Sequence, residues 1–230
     1  MHGSVPISTW FTDENEEEGM SDDHAYLWKH LIEAIGRYDY GKKTVLDYGC
    51  NRGGFLQTLF DSEPFQKGIG VDVAERSLAI ARRRHTSLPI DFIFPGQMDH
   101  YANSVDIAFS HEVLYLISDL DEHAASIARV LKKHGVYCAA IGCHTGNPLW
   151  PCWRELITRS TSLPVFDYSL DDYACAFWKS GLRVDMRPYQ MSDFVLIKQN
   201  NSYFPTALDS LDYHSRVKTI IRATRVDGGQ

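Results

Sequence analysis

Short apolar runs alternate with amphipathic segments over the first 141 residues of the chain. Apolar residues recur at helical spacing over 55–60, 74–84 and 121–133, which predicts three helices. The runs between them are apolar almost throughout, as expected for strands buried on both faces; they are 45–48, 68–73, 90–94, 104–110 and 136–141. This alternation predicts a parallel, doubly wound α/β sheet with helices on both faces.

The alternation breaks after residue 141. Segment 142–169 is rich in aromatic residues and contains two turn-forming prolines near its start. It is either an inserted cap that builds a substrate pocket or a short helix packed onto the sheet, and both interpretations stay open. A helix over 170–180 then precedes strands at 183–189 and 194–198, whose short connection predicts an antiparallel hairpin. The expected sheet therefore has seven strands and is mostly parallel.

The two ends of the chain differ in composition from the middle. Residues 1–20 carry a run of like charges, which predicts a mobile acidic segment that cannot pack. A leading helix is expected after the capping residues at 21–23. The main domain is predicted to span 21–199. Segment 200–230 is expected to be an extension, weakly helical over 210–225, that serves as a docking helix, a dimer contact or part of a lid.

Composition narrows the classes of protein and partner. The 230 residues have 44% hydrophobic content and a formal net charge of −7, which argues against a broad nucleic-acid surface. No apolar run approaches the ~20 residues of a membrane span, so no membrane partner is expected. The first residues lack the basic and apolar regions of a signal peptide, and a cytoplasmic location is the expectation.

The five cysteines form no C-x-x-C pair and are irregularly spaced. Reduced thiols that pack as small apolar groups are the expected state, and no metal site is predicted. Cys143, His144 and Cys152 are the one set that could supply three metal ligands, which is kept as the alternative.

A glycine-rich turn follows the first predicted strand. Asp47 closes that strand, and Gly49, Asn51 and Gly53 follow before a helix begins. Glycine lets the backbone approach a ligand, and the start of the helix offers unpaired N–H groups. A pyrophosphate site has the pattern G-x-G-x-x-G, whereas Asn51 stands where the second glycine would be. Asp47 would repel a diphosphate and attract a cation, so a zwitterionic sulfonium ligand fits better.

A second acid favours a ligand site over a purely structural turn. Asp72 ends the second predicted strand. Its spacing in sequence from the glycine turn is close to the roughly 20 residues that separate such a turn from an acid that binds ribose hydroxyls. The pattern Asp47-x-Gly49-x-Asn51-x-Gly53, taken with Asp72, resembles the nucleotide-binding motif of class I S-adenosylmethionine-dependent methyltransferases. The resemblance covers about residues 24–199.

The resemblance implies S-adenosyl-L-methionine as cofactor and S-adenosyl-L-homocysteine as product. It implies that Asp47 attracts the amino group of the methionine part and that Asp72 takes both ribose hydroxyls. Asn51 departs from the family's central glycine but tolerates a left-handed turn. Gln97 and Met98 would contact the adenine amine and ring. The expected cofactor-binding set is Asp47, Gly49, Cys50, Asn51, Gly53, Asp72, Val73, Gln97, Met98 and Ser110.

Two histidines are candidates for catalysis. His111 and His144 each follow the carboxyl end of a predicted strand, where ligands bind in open α/β sheets. A base is needed only if the acceptor must lose a proton, a task that suits the pKa of histidine. A binding or structural role is the alternative for both. By resemblance, Tyr26, Trp28 and His30 in the leading helix are pocket candidates, with packing or surface roles as the alternative.

The expected function is methylation of a small-molecule acceptor. One alternative is an RNA or nucleobase methyltransferase, against which the acidic charge and the missing Asn/Asp-Pro-Pro-aromatic signature at 110–116 both argue. The other alternative is a non-catalytic partner protein that keeps the fold, against which the presence of both Asp47 and Asp72 argues. A dehydrogenase is disfavoured by the glycine turn. The identity of the acceptor and a homodimeric state stay open.

Overall fold

The computed structural model describes residues 7–36, 38–191 and 194–226. The helices are α1 (Glu14–Ile35), α2 (Gly54–Ser62), α3 (Glu75–Arg84), α4 (Leu120–Val130), α5 (Trp150–Ser160), α6 (Leu170–Lys179) and α7 (Ala207–Asp212). The strands are β1 (Thr44–Tyr48), β2 (Lys67–Val71), β3 (Ile90–Ile93), β4 (Val105–His111), β5 (Leu131–Ile141), β6 (Leu182–Pro188) and β7 (Thr219–Arg225). Short 3₁₀ turns follow β3 and β4.

The strands form a seven-stranded sheet in the order β3-β2-β1-β4-β5-β7-β6. Strand β7 is antiparallel to both of its neighbours, so the other six strands run in one direction. The predicted α/β sheet with an antiparallel C-terminal end is confirmed.

Two hydrophobic cores cover the two faces of the sheet, because successive side chains of a strand point to opposite faces. Val45 packs into the core under α1, α2 and α3, whereas its neighbour Leu46 packs into the core under α4, α5 and α6. Both residues are fully buried. Burial on both faces explains why this strand is a continuous apolar run in the sequence.

The antiparallel pair is not the hairpin that the sequence predicted. Strand β6 pairs with β7 in the register Leu182↔Arg225 to Pro188↔Thr219, and 194–198 is not a strand. The predicted hairpin over 183–198 is therefore wrong, and the predicted helix over 210–225 is wrong over 219–225, which form β7. Residues 192 and 193 of the predicted connection lie outside the described residues. Strand β7 enters between β5 and β6, so a central strand comes from the segment expected to be an extension.

The acidic run near the N-terminus packs against the domain, and the prediction that it could not do so is wrong. Helix α1 begins at Glu14, before the expected capping residues at 21–23. Glu14 and Glu18 both pair with the buried Arg52 guanidinium, and Glu18 also pairs with Arg84 at 2.6 Å. The arginines neutralise a run of like charges that would otherwise repel itself. Residues 1–6 of this segment lie outside the described residues.

The aromatic segment after β5 contains helix α5, whose Trp150 and Trp153 side chains are buried. Trp153 also lines a cavity at the carboxyl ends of the strands, so this ring both packs the helix and shapes a pocket, whereas Trp150 is a packing residue. In the described part of the chain, neither a helix long and apolar enough to span a membrane nor a metal-holding group of His, Cys, Asp and Glu side chains is found.

We expect His123, a buried residue of α4, to make a destabilising contribution that grows as the pH falls. Burial lowers the pKa of His123 to about 3, whereas an unfolded histidine titrates near 6.5. Below pH ~6.5 the unfolded state therefore binds a proton that the folded state does not bind. This difference lowers the free energy of unfolding by about 1.4 kcal/mol for each pH unit. Urea unfolding at pH 7, 6 and 5 measures this slope. His123→Leu should flatten it, and exposed His100→Leu should not; parallel curves for all three proteins would contradict the assignment.

Candidate active site

A cavity of about 590 Å³ lies at the carboxyl ends of β1, β2 and β4. The strand order reverses between β1 and β4, and ligands bind at such a switch point in open α/β sheets. Asp47 and Asp72 line the cavity from the ends of β1 and β2, and His111 lines it from the end of β4. The sheet thus brings together three side chains that are far apart in sequence.

Of the two left-handed glycines in the turn, one faces the cavity and the other faces the protein. Gly49 has φ +83°, and a Cβ there would lie 2.4 Å from the Val113 side chain. Gly53 has φ +84°, but a Cβ there would meet His85 and Phe92, which belong to the protein interior. Gly49 lines the cavity and Gly53 does not. Gly53 is therefore required by packing and by its left-handed backbone, whereas the next residue, Gly54, lines the cavity.

Asp72 holds the glycine turn in place. Its carboxylate accepts the Asn51 N–H at 2.7 Å and the Ala74 N–H at 2.8 Å, one on each oxygen. Asn51 adopts φ +45°, the left-handed backbone expected for it. Each carboxylate oxygen has a further lone pair, so Asp72 can still accept two hydroxyl hydrogen bonds from a ribose. Asn51, Cys50 and the exposed Val73 also line the cavity.

Asp47 is an acid that carries a proton at neutral pH in the absence of a cation. It is 4% exposed, and burial together with the nearby Asp72 raises the pKa of Asp47 to about 8. Burial also raises the pKa of Asp72 above its usual range, against the lowering effect of its backbone hydrogen bonds. Two acids whose negative charge is unfavourable in the free protein form a site that favours a cationic ligand.

The N-terminal segment covers this acidic end of the cavity. Ile7 and Ser8 accept hydrogen bonds from the first N–H groups of α3, at 2.9 and 3.1 Å. Glu17 accepts hydrogen bonds from the Phe11 N–H and the Ser77 hydroxyl. This cover was not predictable from the sequence, because an acidic run is normally solvated.

Aromatic rings dominate the other end of the cavity. Those from α1 to the region after β4 are Tyr26, Trp28, Phe55 and Tyr115, and those from α5 onward are Trp153, Tyr203, Phe204 and Tyr213. Tyr26 and Trp28 therefore take the pocket positions expected of them. His30 does not, since its Nε2 lies 3.2 Å from the Tyr189 carbonyl oxygen, away from the cavity lining.

A buried polar cluster lies where this aromatic end meets β4. It consists of His111, Glu112, Tyr213 and Lys218. The Lys218 ammonium is 2.8 Å from a Glu112 carboxylate oxygen and 2.9 Å from Nε2 of His111. The same Glu112 oxygen accepts the Tyr213 hydroxyl at 2.9 Å, and the other accepts the Gly142 N–H at 3.0 Å. The cluster ties the end of β4 to the start of β7.

The cluster fixes the charges of its members. Burial alone would raise the pKa of Glu112, but Lys218 and the hydrogen bonds from Gly142 and Tyr213 outweigh it and hold that pKa below its usual value. Burial, Lys218 and His24 lower the pKa of His111 well below its usual range. At neutral pH the cluster therefore holds a carboxylate and a neutral imidazole.

Besides Gly53, four of the predicted site residues lie outside the cavity lining. His144 is buried with its Nε2 on the Val217 carbonyl oxygen, and Ser110 bonds to the Tyr137 hydroxyl at 2.6 Å. Met98 is a core residue at 2% exposure. The side-chain amide oxygen of Gln97 accepts the Phe94 N–H and closes a local turn. These contacts give all four a structural role, so catalysis by His144 and adenine binding by Gln97 and Met98 have no geometric support.

Three members of the polar cluster, Glu112, Tyr213 and Lys218, were not among the site residues predicted from the sequence. Glu112 follows the predicted His111 directly and has φ +54°, a strained backbone that often marks a functional position. Lys218 gave no signal, because its segment was predicted to be helical and it is distant in sequence from every motif.

Solved structures with the same fold bind or act on diverse partners. A Haloferax volcanii methyltransferase solved in complex with the Trm112 methyltransferase activator superimposes with a TM-score of 0.76 and 23% identity, covering 93% of this chain and 95% of that one. Geranyl diphosphate C-methyltransferase from Streptomyces coelicolor, solved with S-adenosyl-L-homocysteine, superimposes with a TM-score of 0.65 and 17% identity. The match covers 98% of this chain and 92% of that one. At these identities the likeness shows the fold alone.

Curated relatives match over part of their length. The protein-lysine N-methyltransferase EFM4 of Saccharomyces cerevisiae is 27% identical over 56% of this chain and 61% of its own length. A trans-aconitate 2-methyltransferase of Acidovorax is 25% identical over 62% of this chain and 55% of its own. The chain thus spans little more than half the length of these relatives.

The model of the methyltransferase domain family matches residues 40–161, more than half of the chain. The matched range includes the glycine turn, Asp47, Asp72 and His111. It begins just before β1 and ends just after α5, so it contains the strand ends and the glycine turn that line the acidic end of the cavity. The chain belongs to the methyltransferase domain family and has the fold of class I S-adenosylmethionine-dependent methyltransferases.

Proposed function

We propose that the protein transfers a methyl group from S-adenosylmethionine to a small-molecule acceptor. The observation that carries this proposal is a continuous cavity with an acidic end at Asp47 and Asp72 and an aromatic end near His111. The first end suits a ligand with a cationic amino acid part and a ribose, and the second suits an acceptor with an apolar body.

The shape of the cavity supports a small acceptor over a protein side chain. Helix α1 lies over one side, and segment 196–218 lies over the other. The volume of the cavity falls within the range of about 300–1,000 Å³ that is usual for small-molecule sites. A protein lysine would have to reach past both covers. We therefore favour small-molecule methylation, as in the trans-aconitate relative, over the lysine methylation of the yeast relative.

S-adenosylmethionine supplies a methyl group on a sulfonium, which an acceptor attacks in line. Asp47 would hold the amino group at one end, and Asp72 would hold the ribose through the lone pairs that its backbone contacts leave free. Gly49 lets the backbone approach between these two acids. The aromatic rings would orient the acceptor and exclude water. Most of the rate enhancement would come from holding the acceptor at attack distance.

Calorimetry with S-adenosylmethionine, followed by labelled methyl transfer to a pool of small acceptors, tests the proposal. We expect saturable binding and transfer for the wild type, and loss of both for Asp72→Ala. Asp121→Ala is the matched control, since that exposed acid of α4 pairs with Lys179 and is not part of the cavity lining. Absence of binding heat at millimolar cofactor would refute the cofactor site. Binding with transfer only to protein substrates would refute the small acceptor.

We expect cofactor binding to release a proton from Asp47 near neutral pH. The raised pKa of Asp47, about 8, means that the free protein holds this acid protonated at pH 7. An ammonium beside it favours the ionised form and lowers the pKa. Calorimetry in two buffers of different ionisation enthalpy measures the release, which should approach one proton at pH 6.5–7 and vanish above pH ~9. Asp47→Asn should abolish it, and a release that persists in this variant would contradict the assignment.

A further inference from the structure

The Lys218 ammonium is a buried cation with hydrogen-bonding capacity to spare. It is 1% exposed and lines the aromatic end of the cavity. An ammonium has three N–H donors, of which one is used by Glu112 and one by His111. Within the described part of the chain, the third has no acceptor, and the Tyr189 and Tyr213 rings flank the ammonium at 5.2 and 5.7 Å.

His111 presents a second donor to the same space. Because the Lys218 ammonium donates to Nε2 of His111, the neutral imidazole must carry its proton on Nδ1. Nδ1 has no hydrogen-bond partner among the described residues, and His111 lines the cavity. His111 is therefore arranged as a hydrogen-bond donor, and its Nε2 is not available to accept a proton from a substrate.

The other polar groups of the cluster are also occupied. Both carboxylate oxygens of Glu112 accept hydrogen bonds, three in total, from Lys218, Tyr213 and Gly142. Burial raises the pKa of Tyr213 far above its usual range, so its hydroxyl stays neutral and donates to Glu112. The four residues of the cluster thus offer two donors and no proton acceptor to an incoming substrate.

We propose that the acceptor is a carboxylic acid, bound as its carboxylate by Lys218 and His111 and methylated to an ester. One carboxylate oxygen accepts from the two donors while the other attacks the methyl carbon. The new O–CH₃ bond forms as the S–CH₃ bond breaks, and the bonding pair stays on sulfur as the sulfonium becomes a thioether. No proton moves, which matches a cluster without a free base. The inference rests on the proposed methyl transfer.

The surroundings specify the rest of the acceptor. Among the described residues, the only acid that lines this end of the cavity is Glu112, which is already paired with Lys218. Trp153, Tyr203 and Phe204 form an apolar wall beside the cluster. An acid with an aromatic or alkyl body therefore fits better than a highly charged one.

Matched substrate pairs test the inference on the wild-type protein. Indole-3-acetate, 4-phenylbutyrate, benzoate and cinnamate are each compared with their primary amides, with tryptamine and phenethyl alcohol as amine and alcohol acceptors. We expect a base-labile methyl ester from at least one acid and no transfer to any amide, amine or alcohol. Transfer to an amine or alcohol, or no transfer to any acid from a protein that binds the cofactor, would overturn the carboxylate assignment. A protein without cofactor binding would instead refute the proposed function.

The variant His111→Phe tests whether His111 binds the carboxylate of the acceptor. His111→Phe removes one donor without leaving a charge unpaired, and we expect the KM for the acid to rise about tenfold with the cofactor Kd unchanged. Exposed His100→Phe is the matched control. An unchanged KM in His111→Phe would refute the role of His111, and a fall in kcat alone would indicate a role in positioning the cofactor instead.

Discussion

Glu112→Gln is expected to lower the free energy of unfolding by about 3–5 kcal/mol, because it leaves the Lys218 ammonium buried without an anion. In the wild type, the Glu112 carboxylate lies 2.8 Å from that ammonium and accepts two further hydrogen bonds. The amide keeps the shape of the side chain, so the loss reports charge and hydrogen bonding. Urea unfolding at pH 7 measures it.

Glu122→Gln is the matched control for this prediction. Glu122 is 65% exposed in α4 and pairs with Arg129 at 3.2 Å, so its loss should change stability by no more than about 0.5 kcal/mol. The double variant Glu112→Gln/Lys218→Met should be more stable than Glu112→Gln, since it removes the unpaired cation. A loss below about 1 kcal/mol in the single variant would show that the pair does not stabilise the fold.

Asp72→Asn is expected to weaken S-adenosylmethionine binding by roughly 100-fold, about 3 kcal/mol. The amide keeps one acceptor oxygen but turns an NH₂ group toward a backbone N–H that the carboxylate accepts. Either the Asn51 or the Ala74 hydrogen bond is then lost, and the glycine turn loosens. The ribose hydroxyls also lose a charged acceptor. Calorimetric Kd values measure the change.

Asp91→Asn provides the comparison for Asp72, because Asp91 is an exposed acid on the neighbouring strand β3. It pairs with Lys67 and the Tyr101 hydroxyl and does not line the cavity. Its substitution should leave the cofactor Kd within a factor of two. Equal affinities for Asp72→Asn and the wild type would remove the ribose role that the resemblance implies for Asp72.

The cofactor end of the cavity was largely predictable because its signals are local. The signals are the end of β1, the turn that needs a left-handed backbone at Gly49, and Asp72 at the end of the next strand, β2. They all lie within 30 residues of one another. Gly53 shows the limit of that prediction, since a glycine in a ligand-binding turn also satisfies packing against Phe92. The ligand roles of the individual residues stay predictions.

The acceptor end was not predictable, because its residues come from distant parts of the chain. Lys218 reaches His111 and Glu112 only because β7 inserts between β5 and β6. That insertion depends on pairing between Tyr137 and Ala223 and their neighbours, which is set by contacts of long sequence separation. A local hairpin at 183–198 looked equally plausible from spacing alone.

The sequence by itself determined the α/β class, the buried strands and the site at the ends of β1 and β2, because apolar periodicity and turn chemistry act over a few neighbouring residues. Only the tertiary structure decided which strand closes the sheet, where the acidic run packs and which side chains surround Lys218. Those outcomes depend on burial and on charges paired across the fold, such as Arg52 with Glu14, and no local pattern records such pairs.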